Sequence, residues 1–149
     1  MRAVALIDSK YWNNVYSTFR TAEGLGFDTV YVVDLRMGKP PKMNRRKIDF
    51  ERPPWNLFKL VTMEEFLNII MPQFSCTAME LTEEAEDLGD YEWFDDNLLI
   101  MGPEDGNVPQ EIIDKCKGVV KVEMEGHIKC FNLACAASIA MYHMVLFNS

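Results

Sequence analysis

Two glycine-bearing loops, each directly after an apolar run, are the stretches of this sequence where ligand chemistry is expected first. Residues 98–101 are Leu-Leu-Ile-Met, and the turn-forming stretch 102–107 that follows contains Gly102 and Glu104. A second apolar run, residues 119–124, leads to Gly126. Open α/β sheets bind ligands at the carboxyl ends of their parallel strands, where such loops lie. The pattern therefore predicts a ligand site between the two loops.

Four polar side chains are candidates for acting on a substrate, and each also has an ordinary structural explanation. Arg20 lies in a helical pattern over residues 14–25, where an exposed arginine is usually only a salt-bridge partner. Asn14 and Asn132 stand where predicted helices begin, and asparagine is a good N-cap. Glu104 is either a first-turn acid of the next helix or a group that fixes the loop by accepting backbone amides.

The elements that must position these residues alternate between strands and helices. Apolar and β-branched runs predict strands at residues 3–8, 29–35, 74–81, 97–101 and 119–124. Helical spacing predicts helices at residues 14–25, 63–71, 109–116 and 131–146. Thr62 and Glu65 form a capping box before the second of these. We therefore predict a single domain over residues 1–149, of α/β class, with a mostly parallel sheet flanked by helices.

Composition narrows the class of protein further. No apolar run is long enough to span a bilayer, and the N-terminus is typical of a first strand rather than a signal peptide. The chain has only two histidines, and its four cysteines show no paired spacing, so we predict no metal site. Cysteines beside apolar segments are expected to be reduced, buried thiols of a cytoplasmic protein. The cysteines are Cys76, Cys116, Cys130 and Cys135.

The net charge of −8 is distributed very unevenly. Residues 83–96 carry an acidic cluster that we expect to be a solvated loop. Residues 36–59 hold a basic cluster, in which a long loop rich in proline is predicted. Its cations are either phosphate contacts or a solvated charge run, and both interpretations remain open. The candidate phosphate-binding residues are Lys39, Lys42, Arg45, Arg46 and Lys47.

Three motifs, taken together, resemble the SpoU/TrmH family of SPOUT RNA methyltransferases. Residues 14–22, Asn-Val-Tyr-Ser-Thr-Phe-Arg-Thr-Ala, are similar to that family's Asn-x-Gly-x-x-x-Arg-Thr-Ala stretch. Residues 102–104, Gly-Pro-Glu, are similar to its Gly-x-Glu loop. Residues 122–126 and 130–137 resemble its Ile-Pro-Met-x-Gly and Ser-Leu-Asn-Val segments, which run into an alanine-rich helix. Each motif alone is weak evidence. The three motifs occur in the family's order, however, and together they span nearly the whole chain.

The resemblance implies a deep trefoil knot, a homodimer, bound S-adenosylmethionine and methylation of a ribose 2′-hydroxyl in RNA, without a metal. By resemblance Arg20 is the catalytic arginine, which clamps the ribose and its phosphate, since a guanidinium keeps its proton in proteins and is a poor base. Asn14, Glu104 and Asn132 would complete the catalytic set. The implied cofactor contacts, largely through the backbone, are at Glu80, Leu81, Gly102, Val122, Met124, Cys130 and Phe131.

The sequence also departs from the family pattern, at Tyr11, Trp12, Tyr16, Asn107, Glu123, Cys130 and Ala134. The ring of Tyr16 replaces a glycine beside the expected catalytic arginine, and would narrow the ribose cleft or offer a stacking surface. A compact chain without an added RNA-binding domain favours tRNA over rRNA as substrate. Two other classes stay open: a non-catalytic knot protein that binds RNA or a protein, and a flavodoxin-like nucleotide-binding domain. The flavodoxin-like class predicts a phosphate loop with glycine after the first strand, and residues 9–14 of this sequence contain no glycine.

Overall fold

The computed structural model describes residues 1–34, 36–38 and 57–148 of the chain. The basic loop predicted to contact phosphates falls outside these residues. This applies to Lys39, Lys42, Arg45, Arg46 and Lys47, whose proposed role stays a prediction. Within the described residues, the alternating strands and helices predicted from the sequence form one layered α/β structure.

Seven parallel strands form the sheet in this part of the chain. Their order across the sheet is β3-β2-β1-β6-β4-β7-β5, and every described pair is parallel. The predicted α/β class with a parallel sheet is therefore confirmed. The strands are β1 (Arg2–Ile7), β2 (Thr29–Val33), β3 (Phe58–Val61), β4 (Ser75–Met79), β5 (Glu86–Asp87), β6 (Asn97–Met101) and β7 (Gly118–Lys121).

Helices cover both faces of this sheet. Helices α1 (Trp12–Gly24) and α4 (Leu133–Phe147) pack together on one face. The other face carries α3 (Gln110–Ile113) and α2 (Met63–Glu65), which continues through a π-helical stretch (Phe66–Ile70) and a 3-10 turn (Met71–Gln73). Alternate residues of each central strand enter the two cores, as the period of a strand requires. No helix in the described ranges is long and apolar enough to cross a membrane.

The start of α1 differs from the sequence prediction. Asn14 was expected to cap this helix, but the helix begins at Trp12 and its N-cap is Tyr11. The carbonyl oxygen of Tyr11 accepts the amides of Asn14 at 3.1 Å and Val15 at 3.4 Å. Glu104, from a distant loop, accepts the amides of Lys10 and Tyr11 just before the helix, and the Tyr11 side chain makes no capping hydrogen bond. The predicted cap at the other end of the chain is confirmed, because Asn132 caps α4.

The acidic stretch 83–96 is not simply the solvated loop that was expected. It contains β5 and a 3-10 turn (Leu88–Asp90), and the side chains of Leu88 and Tyr91 are buried. The hydroxyl of Tyr91 makes a buried hydrogen bond of 2.7 Å with the hydroxyl of Thr77 in β4. A Cβ atom added at Gly118 would lie only 2.5 Å from the Tyr91 hydroxyl. Acidic side chains therefore coat the outside of a segment whose apolar residues close the core.

Other boundaries and burial assignments also need correction. Strand β3 was not predicted, and α3 and β7 are shorter than the patterns indicated.

Burial raises the pKa of the Cys76 thiol to about 11 and that of Cys116 to about 12, so these thiols stay protonated. Cys130 and Cys135, in contrast, are exposed, and the expectation that all four thiols are buried is wrong.

Replacing Tyr91 by phenylalanine tests the packing of the acidic segment. Tyr91→Phe removes the hydroxyl and leaves that of Thr77 buried without this partner. We expect the free energy of unfolding to fall by about 1–3 kcal/mol, the usual cost of an unsatisfied buried polar group. Urea denaturation measures it, and Tyr11→Phe, at an exposed position, is the matched control. Equal stability of the two variants would mean that the segment is a loosely attached loop.

Candidate functional site

The register of the sheet brings the carboxyl ends of its central strands to one level. Met101 at the end of β6 pairs with Leu6 of β1 on one side and with Met79 of β4 on the other. Met79 in turn pairs with Val120 of β7. The loops that follow these strands therefore leave the sheet side by side. Between them lies a cavity of about 790 Å³.

The cavity gathers residues from both ends of the chain. Its lining includes Asn14 at the start of α1, Glu104 in the loop after β6, and Asn132 at the start of α4. The predicted ligand site between the two glycine-bearing loops thus corresponds to a real concavity. The cavity is also lined by every position expected to contact a cofactor, namely Glu80, Leu81, Gly102, Val122, Met124, Cys130 and Phe131.

Gly102 allows the loop after β6 to fold back on itself. A Cβ atom at this position would lie 2.8 Å from the backbone nitrogen of Val108 and 3.0 Å from the carbonyl carbon of Asn107. Contacts this close are with backbone, which cannot move aside as a flexible side chain can. The glycine is therefore required by the shape of the loop, and the loop in turn shapes one wall of the cavity.

The carboxylate of Glu80 holds the same loop from the neighbouring strand. The backbone amide of Val108 donates a hydrogen bond to Glu80 Oε1. Burial raises the pKa of Glu80, and the amide bond opposes this shift only in part. A partly buried carboxylate thus faces the cavity in a position where a positively charged or hydrogen-bonding ligand would stabilise it.

A second carboxylate, that of Glu104, connects the loop after β6 to the loop after β1. Its Oε2 accepts the backbone amides of Lys10 at 2.6 Å and Tyr11 at 2.9 Å. The structure therefore supports the interpretation of Glu104 as a loop-fixing acceptor rather than a first-turn acid. Its other oxygen, Oε1, is buried and has no hydrogen-bond partner among the described residues.

Asn14 and Asn132 meet across the cavity although 118 residues separate them. The amide nitrogen of Asn132 donates to Asn14 Oδ1 at 3.1 Å. Asn132 Oδ1 meanwhile accepts the backbone amides of Ala134 at 2.9 Å and Cys135 at 3.2 Å, which caps α4. One side chain thus caps a helix and joins the starts of α1 and α4 at the cavity wall.

Arg20 and Tyr16 lie outside the cavity lining of this chain. Arg20 is exposed on α1, about 9 Å along the helix axis from Asn14 at 1.5 Å per residue. Tyr16 stacks on Trp12 with ring centroids 5.4 Å apart and is half-buried. Its ring therefore packs against its own helix and does not narrow the cavity. The catalytic role of Arg20 stays a prediction.

Two features of the site were missed from the sequence. The first is Tyr11, which lines the cavity with an exposed ring. The second is a charged bridge over the loops: Arg36 donates to both carboxylate oxygens of Asp105, at 3.1 and 2.5 Å, and lies 3.4 Å from Asp8. The Arg36 guanidinium lowers the pKa of Asp105. Nothing in the local sequence pairs these three residues, because the contacts depend on the order of the strands.

The fold and cavity define an α/β protein with a ligand site at the carboxyl edge of a parallel sheet. The sequence model of the SpoU rRNA methylase family matches residues 1–142, and the chain belongs to this family. No curated protein sequence matches the chain significantly.

Solved structures agree with this fold. A structure described as giving insights into the 2-OH methylation of C/U34 on tRNA has a TM-score of 0.81 and 24% identity, over 98% of this chain and 96% of its own. An rRNA methyltransferase from Sinorhizobium meliloti has a TM-score of 0.81 and 19% identity, over 95% of this chain. This chain spans about half of that enzyme, 54%. The AdoMet-bound SpoU methyltransferase AviRb from Streptomyces viridochromogenes has a TM-score of 0.76 and 16% identity, over 97% and 59% of the two chains.

The raised pKa of Glu80 predicts a pH-dependent cost to stability. A carboxyl whose pKa is raised by folding contributes stability only at low pH, and that contribution is lost as pH rises through the folded-state pKa. Above that pH the wild-type protein keeps a partly desolvated charge, which Glu80→Gln removes while its Oε1 still accepts the Val108 amide. We expect the variant to be the more stable at about pH 8, with the gap narrowing towards about pH 4.

Thermal unfolding across this pH range measures the difference between the two proteins. Glu84→Gln, which removes one negative charge at an exposed position, is the control for net charge. A gap that is the same at every pH, or that grows on acidification, would contradict the prediction.

Proposed function

We propose that this protein is an S-adenosylmethionine-dependent RNA methyltransferase that acts on a ribose 2′-hydroxyl, with tRNA as the substrate class. The observation that carries the proposal is one cavity lined by all seven expected cofactor positions together with Asn14, Glu104 and Asn132. The tRNA preference is supported by the similar size of the solved structure concerned with tRNA 2-OH methylation. We place the activity in the cytoplasm.

The cavity fits the proposed cofactor in size and chemistry. Small-molecule sites usually enclose about 300–1,000 Å³, and this cavity lies well within that range. Val122 and Met124 supply apolar surface, and the backbone near Gly102 supplies hydrogen-bonding groups close to the ligand. The carboxylate of Glu80 provides the negative charge that a cationic ligand requires. When bound, the cofactor supplies an electrophilic methyl group.

The residues of this chain mainly position the reactants. Asn14 and Asn132 hold the cavity wall in place through their mutual hydrogen bond. The buried, unpartnered Oε1 of Glu104 offers an acceptor for a donor on the substrate, such as a ribose hydroxyl. A partly buried acceptor that is fixed before the substrate arrives contributes more than one in water, because it needs no reorganisation.

Arg20 is proposed to clamp a phosphate of the RNA and so favour ionisation of the neighbouring hydroxyl. Because it lies outside the cavity of one chain, this role requires RNA or a second copy of the protein beside α1. Helix α4 exposes Ile139, Tyr142 and Leu146, spaced by three and four residues, which is one apolar face. This face supports the proposal of a homodimer. We also propose the deep trefoil knot of the family for this chain.

One observation favours a second candidate function. Since Arg20 is not in the cavity lining, the protein could bind RNA and the cofactor without catalysing transfer. The tRNA and rRNA alternatives share the same chemistry and differ only in substrate. Incubation with labelled S-adenosylmethionine and total RNA, followed by mapping of the labelled nucleotide, separates all three candidates. If no RNA becomes labelled, both methyltransferase candidates are excluded and the non-catalytic binding function remains.

Cofactor binding by the purified protein is the first test of the proposal. Isothermal calorimetry with S-adenosylmethionine is expected to show one site per chain. Gly102→Ala should weaken binding by about tenfold or more, since misplacing a positioned group by ~1 Å costs up to about 10²-fold. Gly24→Ala, where an added Cβ meets nothing within 4 Å, is the matched control. A wild-type protein that does not bind the cofactor would refute the enzyme assignment.

Arg20→Ala separates catalysis from binding. We expect methyl transfer to RNA to fall by about 10²–10³-fold, the usual cost of losing a charge-stabilising group. Cofactor affinity should be almost unchanged, because Arg20 does not line the cavity. Arg20→Lys should recover only part of the rate, since lysine cannot form the two-pronged phosphate contact. Lys115→Ala, an exposed cation outside the cavity lining, is the control, and a fully active Arg20→Ala protein would disprove the role.

A further inference from the structure

The exposed ring of Tyr11 belongs to the cavity lining, and the contacts described so far leave it unused. Tyr11 lines the cavity and its side chain is 51% exposed. Phe131, on the same lining, is 40% exposed. Single exposed rings are common on protein surfaces, but one in the lining of a cavity offers a face on which a flat group can stack.

The backbone that carries Tyr11 is unusually well fixed for a loop. Its amide donates to Glu104 Oε2 at 2.9 Å, and the preceding amide of Lys10 donates to the same oxygen at 2.6 Å. The carbonyl of Tyr11 accepts the amides of Asn14 and Val15 in the first turn of α1. The ring is thus anchored on both sides of its own residue, so little backbone entropy is lost when a ligand stacks on it.

The charge beside the ring is suited to a nucleotide. The ammonium group of Lys10 lies over one face of the Tyr11 ring, 5.4 Å from the ring centroid, so a base stacks on the opposite face or displaces the flexible lysine. A cation next to an aromatic face provides a phosphate contact beside a stacking surface, which is the combination by which proteins hold unpaired nucleotides. Neighbouring aromatic rings do not compete for this role, since Trp12 is buried and Tyr16 is stacked on it.

We propose that Tyr11 is the stacking platform for the base of the RNA nucleotide that enters the site, with Lys10 on an adjacent phosphate. This inference rests on the proposed RNA methyltransferase function and extends it to how the target nucleotide is held. Stacking accepts any base, because every base has a π face. The base preference of the protein must then come from groups other than Tyr11.

The test compares three variants with the wild-type protein. The probe is the RNA fraction that wild-type protein labels with tritiated S-adenosylmethionine, isolated from total RNA. Tyr11→Ala should weaken binding of this RNA and raise its KM by about tenfold. Tyr11→Phe should behave as wild type, since the ring is kept. Lys10→Gln should lower the salt dependence of RNA binding by about one counterion, whereas Tyr11→Ala should not.

Measurements other than activity distinguish this proposal from its rivals. Calorimetry with S-adenosylmethionine should give the same affinity for Tyr11→Ala and wild type, and the mass of the assembly in solution should be equal. Loss of cofactor affinity would assign the ring to the cofactor, and a change of mass would assign it to a contact between copies. Either result would overturn the proposal. So would a KM for RNA that Tyr11→Ala leaves unchanged, or one that Tyr11→Phe raises as much as Tyr11→Ala does. Absence of labelled RNA with wild-type protein would instead refute the proposed function itself.

Discussion

The pairing of β6 between β1 and β4 is the interaction on which the rest of the structure depends. All three strands are buried and parallel, and the pairs Leu6–Met101 and Met79–Met101 bring their carboxyl ends to the same level. Because the period of a strand is two, a slip of one residue would turn the apolar side chains of a strand to the wrong core. The two cores therefore fix the register, and the register fixes where the loops of the cavity begin.

Two carboxylates then connect those loops to one another. Glu80, after β4, binds an amide in the loop after β6, and Glu104, in the loop after β6, binds two amides in the loop after β1. Removing a carboxylate from water is costly, and hydrogen bonds from backbone amides offset much of that cost. The offset is incomplete, as two observations indicate: the pKa of Glu80 is raised, and Glu104 Oε1 has no hydrogen-bond partner in the described part of the chain. These are the two places where a bound ligand would recover free energy.

The sequence predicted the elements whose apolar pattern is continuous and missed those whose pattern is interrupted. Strands β1, β2 and β6 follow continuous apolar or β-branched runs and were found. Strand β3 was missed because Lys59 and Leu60 are exposed at the edge of the sheet, so it lacks a buried run. Tyr91 was missed because the acidic residues around it dominate the local composition, whereas its burial depends on Thr77 and Gly118 from other strands.

For the site, loop position and family resemblance identified the cavity, but the role of each side chain depended on contacts between distant loops. Asn14 was predicted to cap α1, but the helix begins at Trp12, and Asn14 instead accepts a hydrogen bond from Asn132. Glu104 binds the amides of Lys10 and Tyr11 just before the helix. The same contact fixes the backbone of Tyr11 and leaves its ring outside the core. Local sequence patterns do not contain these partners, so the position of neither side chain follows from the sequence around it. Backbone groups and carboxylates thus shape the cavity, while the exposed ring of Tyr11 stays on its lining.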